Sequence, residues 1–286
     1  MEAPPKTPLA GLLPQDLAPL LEPFPPFRAR QVLEWVRSGA SSFAAMSSLP
    51  LRLRAALEER FTLRATVVEE ALRDRDGAVK LRVRLPDALR IEAVLLRDRG
   101  GRATACISTQ AGCPAGCVFC KTGSLGFARN LSAAEIAEQF LHLKAIEPAI
   151  GSIVVMGMGE PLLNLAALRA ALAWLCAPEG LGISPRRITL STCGLPEGIA
   201  SLAREGPAVR LAISLCTASQ ALRERLMPIA RTVPLEALRE SLVRYQEARP
   251  GRVTLEAVLL HGLNTRQQDA RALAAFVQAP PALNAI

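Results

Sequence analysis

Four of the chain's seven cysteines fall within fifteen positions, in "CISTQAGCPAGCVFCKTG", residues 106–123. Cys113, Cys117 and Cys120 follow the spacing C-x3-C-x2-C, and Cys106 stands seven residues before the first of them. Three thiolates on one loop can hold a zinc ion or three irons of a 4Fe–4S cluster. Zinc asks for a fourth ligand, and the two histidines, His142 and His261, form no second paired motif with the isolated Cys176, Cys193 and Cys216. On a cubane, three thiolates leave one iron without a protein ligand. A small molecule with an amine and a carboxylate can chelate that iron. S-adenosylmethionine (SAM) is such a molecule, and an electron from the cluster can split its sulfonium. A zinc-stabilised RNA-binding module without catalysis stands as the rival reading from another class.

The elements around this loop must present it at one end of a sheet. From residue 103 the sequence alternates strand, loop and helix. Strand candidates are "TACIST", "SIVVMG", "RITLST", "VRLAISL" and "RVTLEAVLL", and "ALNAI" looks like the opening of a sixth. Between them, "SAAEIAEQFLHLKAI", "LAALRAALAWLCA", "PEGIASLAR", "PLEALRESLVRYQEA" and "TRQQDARALAAFVQ" carry helical periodicity. Repeated βα units imply a parallel sheet covered by helices, with the cysteine loop after the first strand, where α/β barrels build their sites. Upstream, "PPFRARQVLEWVRSG" and "SSLPLRLRAALEERF" predict helices, and "KLRVRLPDALRIEAVLL" predicts two strands broken at Pro86-Asp87.

At 286 residues the chain can bury a large core. It has no apolar run near the roughly 20 residues a membrane span needs, and no signal-like start, so no membrane partner and a cytoplasmic location are expected. Seven cysteines in that setting suggest metal or catalysis more than disulfides. The net charge of +8 is compatible with nucleic acid. Only four of the 34 basic residues are Lys, so codon bias explains the arginine excess equally well.

With its Phe119 before the last cysteine, the triplet has the signature of radical-SAM enzymes. Together with "VVMGMGEPLLN", "ITLSTCGLPEGI", "LAISLCTASQALRERLMPI", "GRVTLEAVLLHGLN" and the N-terminal "FRARQVLEWV", it resembles the RlmN/Cfr group of radical-SAM RNA adenine methyltransferases, and within it the RlmN branch. The resemblance implies an α/β fold: a partial (β/α)6 radical-SAM barrel over 101–286, cut in or near strand six. It also implies a helical RNA-binding domain over 1–65 and a β-hairpin linker over 66–100. Cys113, Cys117 and Cys120 would hold the cluster. Gly159 and Glu160 would bind the amino end of SAM, and Ser191, Ser214, Leu215 and Cys216 would touch it, with Cys216 standing where the family usually has His. Cys106 would help resolve a covalent protein–RNA adduct, against the plain alternative of a strand cysteine facing the core. Glu92 would accept a proton, for which a buried carboxylate is suited; the plain alternative is a carboxylate facing solvent. The implied reaction is methylation of C2 of an adenine in 23S rRNA and in tRNA, with an external flavodoxin-type electron donor and a monomeric enzyme. C8 methylation of the Cfr type is the neighbouring alternative.

One departure from the family bears on turnover. The resemblance implies a methyl-carrying cysteine and a SAM-contacting asparagine beyond the sixth strand, and neither has a counterpart before Ile286. The sequence reads as a piece of a longer enzyme, and the polypeptide as given is expected to bind cluster and cofactor without methylating RNA.

Overall fold

A computed structural model describes residues 6–286. The chain divides into two compact units, each made of discontinuous segments.

The first unit comprises residues up to Ser108 together with Leu131–Ile153 and Ala166–Ser184. Its N-terminal part holds the expected helices, Phe27–Arg37 and Leu51–Arg60. Ala29, Val32, Leu33 and Val36 of the one and Leu53 and Leu57 of the other are buried in a shared core with Leu9, Leu17, Met46 and Phe61. The i, i+3, i+4 spacing puts these residues on one face, and burying each large one favours folding by about 1.5–3 kcal/mol. The chain then enters an antiparallel meander of Val67–Arg73, Val79–Arg84, Arg90–Arg97 and Ala103–Cys106.

That meander corrects two expectations. The region is not a two-stranded hairpin, because Val67–Arg73 adds an outer strand whose residues are nearly all exposed and show no alternation for the sequence to reveal. The strand "TACIST" shrinks to Ala103–Cys106 and pairs antiparallel with Arg90–Arg97. The inner strands do alternate: Val79, Leu81 and Val83 point into the core with Ile91, Ala93 and Leu95.

Helix Ala133–Ile146 fixes this unit from within. Ser132 accepts from the Glu135 amide at 3.2 Å while the Glu135 carboxylate accepts from the Ser132 amide at 2.8 Å, a reciprocal cap. One turn on, the buried Glu138 accepts from the amides of Ala65 and Thr66 and from Thr66 Oγ1 at 2.6 Å. Thr66 Oγ1 also lies 2.8 Å from His142 Nε2. Its single proton goes to Glu138, so the imidazole donates from Nε2. Gln139 takes the Ser108 amide at 2.7 Å and gives to the Ser108 carbonyl at 2.9 Å, as a neighbouring strand would.

The second unit comprises Thr109–Asn130, Val154–Leu165 and Pro185–Ile286. Three parallel strands form its frame: Ile188–Thr192 pairs with Arg210–Ser214, which pairs with Thr254–Glu256. Helices Pro196–Arg204, Leu235–Ala248 and Gln267–Gln278 lie where the periodicity put them. "RVTLEAVLL" is the exception, since only Thr254–Glu256 is strand and the following residues run as an irregular segment toward Asn264. Asn264 is buried and organises it, accepting from the Leu260 amide and donating to the Val258 and Cys216 carbonyls. "ALNAI" does begin a further parallel pairing, bridging Val253 to Ala285. Among the described residues, no helix is long and apolar enough to cross a membrane.

Candidate active site at the cysteine loop

The three cysteines sit on a loop whose ends are pinned by a short hairpin, Gln110–Gly112 against Phe127–Asn130. Gly112, at φ +81°, makes this possible: a Cβ there would lie 2.0 Å from the Gly126 carbonyl oxygen, the same oxygen that accepts from the Cys113 amide at 2.8 Å. Inside the loop, the Cys120 amide donates to the Cys117 carbonyl and the Val118 amide to the Leu226 carbonyl. Cys117 and Phe119 pack against an apolar group containing Cys193, Cys216, Leu226 and Met227.

The thiols are close enough to feel one another. Burial pushes the Cys117 thiol up to about 12, and negative charge on Cys113, Cys120 or Cys216 would push it further. Burial likewise raises Cys113, with Glu160 and Cys120 adding to it. Without a metal these groups are neutral thiols, so a bound cation must displace their protons. Among the described residues, no three His, Cys, Asp or Glu side chains converge on a position for a single ion. A cubane asks something different, one thiolate for each of three irons. Three neighbouring thiols on one tight loop fit that donor set.

The loop's first strand is stapled to the turn "MGMGEP". The amides of Thr109 and Gln110 both donate to the Met158 carbonyl, at 2.8 and 3.1 Å. Gln110, fully buried, accepts from the Glu160 amide at 2.8 Å and donates to Asn130 Oδ1 at 2.8 Å. Asn164 donates to the Thr109 carbonyl at 2.8 Å. Gly159 has φ +109°, and a Cβ on it would stand 2.7 Å from the Gln110 side chain, so packing alone demands glycine here.

Glu160 is 4% exposed. Its Oε1 accepts from Thr192 Oγ1 at 2.6 Å and from the Leu162 amide at 2.9 Å, and its Oε2 accepts from the Cys193 amide at 2.7 Å. The Cys193 thiol is hydrogen-bonded to this carboxylate as well, so Glu160 ties the end of strand Ile188–Thr192 to its own turn.

Ser191 and Ser214 lie side by side on neighbouring strands, 3.2 Å apart at Oγ, and Ser191 donates to Glu256 Oε2 at 2.7 Å. Sequence reasoning missed Glu256, although it stands within "GRVTLEAVLLHGLN"; an acid inside an apolar strand was its signal. Leu215 and Cys216 follow at the strand end. The Cys216 amide donates to the Glu256 carbonyl, and its φ of +61° is unusual for a residue with a Cβ. Burial raises its thiol as well.

Gly159, Glu160, Ser191, Ser214, Leu215 and Cys216 thus share the second unit with the three loop cysteines, whereas Glu92 and Cys106 belong to the first. In that unit the register sets Cys106 opposite Val94, two residues from Glu92, so Glu92 and Cys106 share one face of the meander. Cys106 is half-buried. Glu92 faces solvent and pairs with Lys80 at 2.9 Å, the solvent-facing alternative rather than the buried carboxylate.

Comparison with known proteins shows which family the chain belongs to. Residues 107–274 match the Radical SAM superfamily, and residues 19–63 match the ribosomal RNA large subunit methyltransferase N-terminal domain. A probable dual-specificity RNA methyltransferase RlmN from Treponema pallidum is 46% identical over 268 residues, covering 94% of this chain and 79% of that protein. The chain belongs to the RlmN family of radical-SAM methyltransferases. A Thermus thermophilus relative of the same description is 40% identical over 276 residues, covering 95% of this chain and 76% of that one. The crystal structure of a radical SAM methyltransferase from Sphaerobacter thermophilus superposes with a TM-score of 0.92 at 37% identity, covering 98% of this chain and 83% of that one. As an enzyme of the RlmN family, the protein works with a 4Fe–4S cluster and SAM, and its fold is the radical-SAM fold.

Proposed function

We propose that the enzyme methylates C2 of an adenine in 23S rRNA and in tRNA, in the cytoplasm, acting as a monomer on electrons from a flavodoxin-type donor. The observation that carries the reading is the loop of Cys113, Cys117 and Cys120 stapled through Gln110 to the Gly159–Glu160 turn, in a chain of the RlmN family. When bound, the cluster supplies the electron that splits SAM, which opens carbon–hydrogen chemistry at a ring carbon that no simple nucleophilic route reaches.

The chain's own residues have definable tasks in this reading. The three thiolates hold the cluster and leave one iron for the cofactor. Glu160 meets the SAM ammonium with a carboxylate already oriented by Thr192 and Cys193, so little reorganisation accompanies binding. Ser191, Ser214 and the backbone of Leu215 and Cys216 line the cofactor at the strand ends. Cys106 and Glu92 act on the substrate adduct, Cys106 in resolving it and Glu92 as proton acceptor.

For RNA, a cavity of about 810 Å³ in the first unit is lined by Lys6, Arg37, Arg64 and Lys144, with His142 and Glu58 between them. Four cations around one concavity suit phosphates. Disrupting the gene in its native host and mapping adenines in 23S rRNA and tRNA by mass spectrometry tests the proposal. Loss of 2-methyladenosine is the expected result. Loss of 8-methyladenosine, or of neither, would refute it.

A further inference from the structure

The helix Gln220–Leu226 carries an arginine, Arg223, that is completely buried. Its Nε donates to the Leu215 carbonyl at 3.3 Å and its Nη2 to the Cys193 carbonyl at 2.5 Å. Its Nη1 is buried and meets no acceptor. Among the described residues, no carboxylate stands in ion-pair contact with it; Glu160 is linked to it only through the backbone of Cys193. A guanidinium does not shed its proton, so this is a permanent charge taken out of water. Left without a counter-charge, its burial is strongly unfavourable.

The groups whose negative charge this guanidinium would feel are the thiols of Cys193, Cys216 and Cys117. The helix is also fastened to the cysteine loop. The Val118 amide donates to the Leu226 carbonyl at 2.9 Å, and Leu222, Leu226 and Met227 pack with Cys117 and Phe119. A buried donor without a partner and a buried cation without an anion therefore occur in one side chain, beside one ligand of the cluster.

We infer that Arg223 is the counter-charge of the iron–sulfur cluster, stabilising its reduced and more anionic form. The inference rests on the reading that Cys113, Cys117 and Cys120 hold that cluster. Three thiolates outweigh the positive charge of the oxidised cluster core, so the loaded site is net negative. Accepting one electron from an external reductant adds one further negative charge and releases no bond or proton. A fixed cation nearby favours that state and raises the reduction potential, and the same attraction offsets the burial of the guanidinium once the cluster is in place. Arg223 acts through the cluster and its ligands; it is a positioning and charge-compensating residue.

The test is a redox titration of the reconstituted full chain, following the reduced-cluster EPR signal, for wild type, Arg223→Lys and Arg223→Met. Removing the charge is expected to lower the ratio of reduced to oxidised cluster at a fixed potential about tenfold, which for one electron is a fall of about 59 mV. Arg223→Lys restores most of it. A cluster that forms in Arg223→Met with an unmoved potential overturns the inference, and so does a loss of SAM affinity without a change in potential. Failure of wild type to form a cluster would sink the underlying reading instead. Should Arg223→Met not fold, wild type labelled with 15N in its arginines decides. A dipolar 15N coupling to the reduced cluster is expected, and its absence overturns the inference.

Discussion

Replacing Glu160 by Gln separates scaffolding from cofactor binding at the heart of this site. The carboxylate serves three buried donors, Thr192 Oγ1 and the amides of Leu162 and Cys193. A carboxamide has one acceptor atom and cannot serve both ends. With its oxygen toward Thr192 and Leu162, its NH2 faces the Cys193 N–H. Flipped, it satisfies Cys193, and Thr192 can rotate its hydroxyl to accept, but the Leu162 N–H is then opposed. Either way one buried amide is orphaned, at about 1–3 kcal/mol, and the surviving bonds change from charge-assisted to neutral, at about 1 kcal/mol each. The sum is about 3–5 kcal/mol, a fall of roughly 6–20 °C in melting temperature. The assay is anaerobic thermal unfolding of the metal-free protein, where no cofactor contributes. SAM affinity falls as well, since the turn it binds is no longer held. A metal-free Glu160→Gln that melts within a degree or two of wild type would refute the reasoning, leaving the carboxylate a ligand for the cofactor alone.

Other consequences can be checked independently. Gly112→Ala drives a Cβ against the Gly126 carbonyl in a left-handed backbone, so the hairpin beneath the cysteine loop must part; iron retained per chain should drop severalfold on reconstitution. His142 is held down to about 4, first by burial and then by Arg64, so the fold keeps it uncharged while the unfolded chain protonates it below about 6.5. Its contribution is present above about 6.5 and is lost as pH falls toward 4, by at most about 3 kcal/mol. Burial raises Glu138, which works in the opposite sense as pH falls, so His142→Asn should flatten the acid limb of a stability–pH curve, and an unchanged limb would refute the assignment. Replacing Lys144 or Arg37 with Gln should weaken RNA binding on every sequence alike and reduce the salt slope by about 0.7–0.9 for each phosphate no longer neutralised.

The local parts of this molecule were readable in its sequence. The triplet's spacing is confined to eight positions, and helices such as Ala133–Ile146 and Leu235–Ala248 announce themselves through periodicity and start signals within one segment. The pieces that escaped depend on partners distant in sequence. Val67–Arg73 is a strand because Val79–Arg84 pairs with it, not because its own exposed residues alternate. Gln220–Leu226 is too short to show a stripe, and nothing in "QALRERL" marks Arg223 as buried and Arg225 as not. Glu160 stands out within "MGMGEP", yet its clamp on Thr192 and Cys193 spans more than thirty positions and shows in no local pattern. Glu92 shows the converse, since an acid in an apolar strand can lie on the solvent face of an alternating pattern.

The central claim is a cluster held by three thiolates with one iron kept for the cofactor. Anaerobic reconstitution of the chain and of each single Cys→Ala variant, read by iron and sulfide content and by Mössbauer spectroscopy with SAM added, tests it most directly. The account predicts about four irons and four sulfides per chain, lost on replacing Cys113, Cys117 or Cys120 and kept on replacing Cys106, Cys176, Cys193 or Cys216, with one iron site changing when SAM binds. A colourless protein carrying zinc, or a cluster that needs a fourth cysteine and ignores SAM, would contradict it.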